Sequence, residues 1–205
     1  MPSRPSSRAA RLGALAAALG MLLVLGVLFY AKLRLSSPHA AALPHYPDGP
    51  DGLKALFTDV LKAADDTDRD RVHDLMASTF MSDDDLRALF GPRAAELAPR
   101  YHSMMETMVN RGSIELVVQV YERKLDTVEI IPIDPTAASA RDTDKAIARA
   151  LVTPLKIYDV RLRRAADHKG LRYDFFFYRN GHWLTGNQLG HVLAVGAEAS
   201  DAGAR

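Results

Sequence analysis

The stretch that most constrains this sequence is a predicted β-meander near its C-terminus. Residues 156–163 and 171–178 alternate with period two and are rich in aromatic and β-branched side chains, a pattern typical of paired strands. The dipeptide Asn180-Gly181 follows, and it supplies the two positive-φ positions of a type I′ hairpin turn. A third short strand is therefore predicted at residues 182–184.

The turn also predicts which side chains share a face of the sheet. It places Tyr178 opposite Trp183 and Phe177 opposite Leu184. We expect one face to be apolar and covered by helices. Its members are Tyr158, Val160, Leu162, Leu171, Tyr173, Phe175 and Phe177.

The other face carries the candidate functional residues. It is charged along most of its length, with Asp159, Arg161, Arg163, Arg172 and Asp174. Phe176, Tyr178 and Trp183 cluster at one end, and Tyr121 is expected to join them from an earlier strand. Aromatic side chains grouped on a solvated face are typical of a contact surface. We therefore predict that these four residues meet a second copy of the chain or another envelope protein. The alternative is that residues 191–195 or a helix at 144–151 cover them.

The N-terminal region predicts a membrane anchor. No charge occurs in residues 12–31, a run of twenty residues that would span about 30 Å as a helix, the thickness of a bilayer core. Arg4, Arg8 and Arg11 precede it and favour a cytoplasmic N-terminus. A cleaved signal peptide is the alternative, with a site near residues 40–42, but the run is longer than the apolar region of most signal peptides. We expect a single-pass protein of the cell membrane with its C-terminal domain outside the cytoplasm.

Four segments follow from this interpretation. Residues 1–34 form a cytoplasmic stub and the anchor, and residues 35–50, with four prolines, form an extended tether. Residues 51–193 form the folded domain, and residues 194–205 a disordered tail.

Within the domain, apolar residues recur with period 3.6 from residue 51 and predict four helices before the sheet. Ser82 and Asp85 resemble a capping box at the start of the third helix. The fourth is expected at residues 93–110, with a kink or break at Pro99 and an end at Gly112. Strands are predicted at 114–123 and 128–133, then a loop at 134–143 and a short helix at 144–151. The expected fold class is α+β, an amphipathic helical layer on a curved antiparallel sheet.

The sequence Gly181-His182-Trp183 at the end of an aromatic hairpin resembles the nuclear-transport-factor-like superfamily, whose long hairpin commonly ends in Gly-x-Trp. The resemblance implies a cone-shaped α+β fold over about residues 51–193. That superfamily contains isomerases, dehydratases and non-catalytic binding or assembly domains, so fold alone does not choose a function. Residues 153–161 also resemble uncharacterised bacterial membrane-anchored proteins.

Composition and motifs exclude several functions. The chain has no cysteine, which excludes disulfides and thiolate metal sites. Residues 35–205 hold 21 basic and 25 acidic residues, an acidic balance that argues against nucleic-acid binding. No catalytic triad order, phosphate loop or metal-ligand spacing occurs, so no cofactor and no metal is predicted. The positions of Asp159 and Asp174 on the charged face of the sheet are explained by cross-strand ion pairs with the arginines of the same strands. We predict a non-catalytic binding or assembly module. The alternative is a small-molecule lyase, isomerase or hydrolase with an apolar pocket.

Overall fold

The computed structural model describes residues 43–166, 169–190 and 192–193. The chain divides between Leu43 and Pro44, and all elements given below belong to the second unit. The predicted anchor at 12–31 and the predicted tail at 194–205 lie outside the described residues. In the part that is described, no helix combines the length and the apolar character needed to cross a bilayer.

In the part of the chain that the structure describes, four helices come first and pack on the sheet that follows. They are α1 (Pro50–Asp65), α2 (Arg69–Ala77), α3 (Asp83–Phe90) and α4 (Ala94–Arg123), with a 3₁₀ turn at Gly91–Arg93. The predicted capping box of α3 is confirmed: Ser82 Oγ accepts from the Asp85 N–H, and the Asp85 carboxylate accepts from the Ser82 N–H.

The helix α4 differs most from the prediction. It continues without interruption through Gly112 to Arg123, so the predicted helix end and the predicted strand at 114–123 are wrong. Leu116 and Val120 are buried, whereas Ile114 and Val118 are exposed, which places the two pairs on opposite sides of the helix. Two apolar stripes offset by two residues therefore imitate the alternation of a strand.

Four strands follow in one antiparallel sheet with the order β1-β2-β3-β4. They are β1 (Thr127–Ile133), β2 (Ile157–Arg163), β3 (Gly170–Arg179) and β4 (His182–Thr185), and α5 (Asp142–Ala150) lies between β1 and β2. The predicted α+β class is confirmed. So is the hairpin, because Tyr178 pairs with Trp183 and Phe177 with Leu184. Asn180 and Gly181 have φ values of 52° and 86°.

A β-bulge interrupts the pairing of β2 with β3. Tyr158 lies opposite Phe176, but Val160 lies opposite Tyr173, so Asp159 alone faces two residues of β3. The extra residue, Phe175, has a φ of 62°, which is uncommon for a bulky side chain. The alternation along β3 therefore reverses at the bulge.

This reversal distributes the aromatic residues of β3 between two hydrophobic cores. The Phe57 ring of α1 contacts both Tyr173 and Phe176, at centroid distances of 5.6 and 5.2 Å. Phe175 and Phe177 belong instead to a second core with α3, the first half of α4 and α5. The predicted single apolar face containing Tyr173, Phe175 and Phe177 is thus wrong.

Residues at the end of the predicted tether contact the domain. Tyr46 Oη donates to the Asp59 carboxylate at 2.6 Å, and Trp183 Nε1 donates to the Pro47 carbonyl oxygen at 3.2 Å. The helix α1 begins directly afterwards, at Pro50.

A glycine substitution tests the continuity of α4. Gly112→Ala is expected to raise the free energy of unfolding by about 0.5–1 kcal/mol, because glycine inside a helix is entropically costly. An added Cβ would meet only Met108 Cγ, at 3.6 Å. The measurement is equilibrium urea denaturation followed by circular dichroism.

The same substitution in α1 is the matched control. At Gly52 an added Cβ would lie 1.8 Å from the Pro47 carbonyl oxygen, so Gly52→Ala should destabilise the domain. Destabilisation by Gly112→Ala as well would mean that α4 ends at Gly112.

Candidate functional site

The four residues of the predicted contact site do not form one surface. Phe176 and Trp183 are buried, with 1% and 2% of their surface exposed, and Tyr178 is half-buried. The Trp183 ring packs edge-on against Tyr158 and Tyr178, at 5.7 and 5.2 Å between centroids. Tyr121 lies on α4 and is 80% exposed. Three of the four residues thus belong to the first core or its margin, and Tyr121 stands apart from them.

The groups that pack over these aromatic rings belong to the N-terminal part of the domain. Phe57 of α1 packs on Phe176, and Pro47 accepts the Trp183 N–H. The helix α5, considered above as a cover, contributes Ile147 to the second core. Residues 191 and 194–195 lie outside the described part of the chain.

The most concentrated chemistry is a cluster of charged side chains at the β-bulge. Asp159 is fully buried, and its Oδ1 accepts from the Phe175 N–H at 3.1 Å. Its Oδ2 accepts from Arg141 Nη2 at 3.1 Å and also from Arg172. The carboxylate that faces the bulge therefore has donors on both oxygens.

Two further carboxylates complete this cluster. Asp174 Oδ1 accepts from Arg141 Nη1 at 3.0 Å, and Arg172 Nε forms an ion pair with the same oxygen at 2.8 Å. Asp144 receives two hydrogen bonds from the Arg141 guanidinium, at 3.1 and 2.5 Å. With three carboxylates and two guanidiniums, the bulge cluster carries one net negative charge when every member is ionised.

The electrostatic environment shifts two pKa values in the bulge cluster. Burial raises the pKa of Asp159, against the opposing hydrogen bonds from the Phe175 N–H and Arg172. Burial by itself would lower the pKa of Arg141, but hydrogen bonds to Asp144 and Asp174 outweigh it, and the pKa is raised. Arg141 also lies over the Phe175 ring, 5.4 Å from its centroid.

The bulge cluster is built to hold structure rather than to transfer protons. Asp159 forms a cross-strand ion pair with Arg172, the kind of pairing predicted for Asp159 without a named partner. The contribution of Arg141 was missed, because this residue follows a loop whose position the sequence pattern does not fix. A general base needs an oxygen within reach of a substrate. Both oxygens of Asp159 are instead engaged by protein donors.

Three surface grooves lie on the described part of the domain. Their volumes are about 540, 560 and 380 Å³. None of the three is lined by Asp159, Asp174 or Trp183. They do not provide the enclosed apolar cavity around a carboxylate that an isomerase-type site requires.

The outer side of α4 presents an exposed apolar stripe. Ile114, Val118 and Tyr121 are 41%, 46% and 80% exposed, and their spacing places them on one side of the helix. We call these three residues the α4 stripe. The strand interpretation of residues 114–123 concealed it, although a period of 3.6 fits the same residues.

Comparisons with known proteins give no match. No protein-family model, curated protein or solved structure is similar to this chain. The resemblance to the nuclear-transport-factor-like superfamily therefore stays a prediction.

Serine substitutions separate core from surface among the four aromatic residues. Trp183→Ser should destabilise the domain by about 3–5 kcal/mol, because it removes a buried aromatic side chain. Tyr121→Ser should change stability by no more than about 0.5 kcal/mol. Thermal and urea unfolding measure both. Equal effects would contradict the placement of Tyr121 on the surface.

Asp159→Asn tests the bulge cluster. The substitution keeps an acceptor for the Phe175 N–H but turns an amide N–H₂ towards guanidinium donors, so we expect a loss of about 1–3 kcal/mol of unfolding free energy. Asp142→Asn is the control at a side chain that is 97% exposed, and it should cost much less. Equal losses in urea denaturation would argue against a supporting role for Asp159.

Proposed function

We propose that this protein is a membrane-anchored extracytoplasmic domain that works as a non-catalytic binding or assembly module. The observation that carries the proposal is the α4 stripe, three apolar side chains exposed on the outer side of a helix whose inner side is buried. Exposed apolar groups that share one face are typical of protein contact surfaces. Tyrosine is also among the residue types enriched at energetically important contacts.

The anchoring part of the proposal comes from the N-terminal sequence. Residues 12–31 are uncharged, and Arg4, Arg8 and Arg11 precede them. A single span there leaves the domain outside the cytoplasm. We further propose a cone-like curvature for the sheet, since a β-bulge bends its strand and increases the local twist.

The small-molecule enzyme is the weaker alternative. In its favour, burial raises the pKa of the Asp159 carboxyl, a feature that catalytic acids share. Against it, the cores on the two sides of the sheet are filled by large side chains such as Phe57, Tyr101 and Phe175. Asp159 itself is occupied by its arginine partners. A binding surface on the outside of the domain fits these observations better than a site inside it.

Membrane fractionation tests the anchor. The full-length protein should stay in the membrane pellet after a carbonate wash, and a protease added outside the cytoplasmic membrane should digest the domain. Release of a mature form that begins near Leu43 would contradict the anchor and support a signal peptide.

Photo-crosslinking tests the contact surface. A photoreactive amino acid at Val118 of the full-length protein in its native membrane should give discrete covalent adducts, because this position is 46% exposed within the stripe. The control position is Glu106, which is exposed elsewhere on α4. Adducts of equal yield at both positions, or none at Val118, would remove the α4 stripe as the contact surface.

A further inference from the structure

The outer side of α4 has the spacing of a helix-pairing seam. Exposed residues recur alternately every four and every three positions along this side of α4: Thr107, Arg111, Ile114, Val118 and Tyr121. Their mean spacing of 3.5 residues is the repeat with which one helix packs along another. The buried positions of α4 in this region, such as Leu116 and Val120, lie on the opposite side. The exposed seam is therefore shaped to receive another helix.

Charged residues at one edge of the seam indicate how that helix runs: Arg111, which belongs to the seam, and Glu115 and Glu122 beside it. At about 100° per residue, Arg111 and Glu122 lie on the same flank of the seam, eleven residues apart along α4. Both are exposed, and neither forms an ion pair within the described part of the chain. Suppose that a second α4 runs antiparallel to the first, related to it by a two-fold axis at the level of Leu116 and Val117. Arg111 of one copy then lies opposite Glu122 of the other. Because the pair is two-fold symmetric, this contact forms twice.

The same alignment brings the apolar side chains together. Measured along the helix axis, Tyr121 of one copy and Ile114 of the other are about 3 Å apart. The two Val118 side chains lie near the two-fold axis. In a parallel pair, by contrast, residues on the same flank of the two helices lie on opposite sides of the interface, so Arg111 and Glu122 do not form this contact. Charge thus favours the antiparallel pair.

From this complementarity we propose that the partner of the α4 stripe is a second copy of this chain, docked antiparallel through α4. The inference rests on the proposed function and identifies its partner. Stable interfaces bury about 800 Å² on each side. Three exposed side chains fall well short of that area, so the pair is weak in solution. Anchoring in one membrane raises the effective concentration of the two copies and stabilises the pair there.

The absence of cysteine allows a direct test by disulfide crosslinking. Ile114→Cys and Tyr121→Cys chains carrying different tags are expressed together, full length and in membranes, and are oxidised. The antiparallel pair should give several-fold more of the mixed 114–121 disulfide than of either disulfide between identical positions. A parallel pair would give the 114–114 and 121–121 products, and that result would overturn the proposal.

Charge reversal provides a second test, with Val118→Cys as the crosslinking reporter. Arg111→Glu alone and Glu122→Arg alone should each lose most of the dimer, because each creates like-charge pairs. Expressed together, the two variants should recover it, since both contacts between unlike chains then join opposite charges. Glu106→Arg, away from the seam, is the control and should leave the dimer unchanged. Fluorescence of Trp183, the single tryptophan, reports whether each variant is folded.

The outcomes distinguish this inference from the function on which it rests. Suppose that no disulfide dimer forms although photo-crosslinking at Val118 still gives adducts with a different protein. The second copy is then wrong, and the binding function stands. If Val118 gives no adduct of any kind, the contact surface itself is wrong, and the inference falls with it.

Discussion

The hydrogen bond from the Phe175 N–H to the buried Asp159 carboxylate is the interaction on which the rest of the domain depends. It holds one extra residue in β3, so that Tyr173 lies in the first core with Phe176, while Phe175 and Phe177 enter the second. A buried carboxylate is costly without partners, and Arg141 and Arg172 provide them. The ionic bulge cluster thus determines which aromatic side chains of β3 enter each hydrophobic core.

Because both sides of the sheet are packed with side chains, the proposed recognition surface lies on the outside of the domain. Phe57 and Phe176 occupy one core, and Phe175 and Phe177 the other. The helix α4 contributes to both cores along its 30 residues, and the outer side of its second half carries exposed apolar side chains. A helix fixed over such a length presents its outer side chains at set spacings, a rigidity that favours binding without reordering.

Features encoded by neighbouring residues could be predicted from the sequence, whereas features that need distant partners could not. The turn at Asn180-Gly181 and the capping box of Ser82 depend on local chemistry, and both are confirmed. The bulge depends on Asp159 meeting β3 and on Arg141 arriving from a loop, which no local pattern specifies. In α4, period two and period 3.6 fit the same residues, and only tertiary packing decides between them. The same ambiguity hid the α4 stripe.

Residues 46 and 47 contact α1 and β4, so tension from the N-terminal side enters the domain at these two elements. Tension applied from the N-terminal side reaches Tyr46, held by Asp59 of α1, and then Pro47, held by Trp183 of β4. Helix α1 and strand β4 therefore both bear this tension. A domain that takes up tension at both α1 and β4 resists being unfolded one element at a time, a property that suits the proposed membrane anchor.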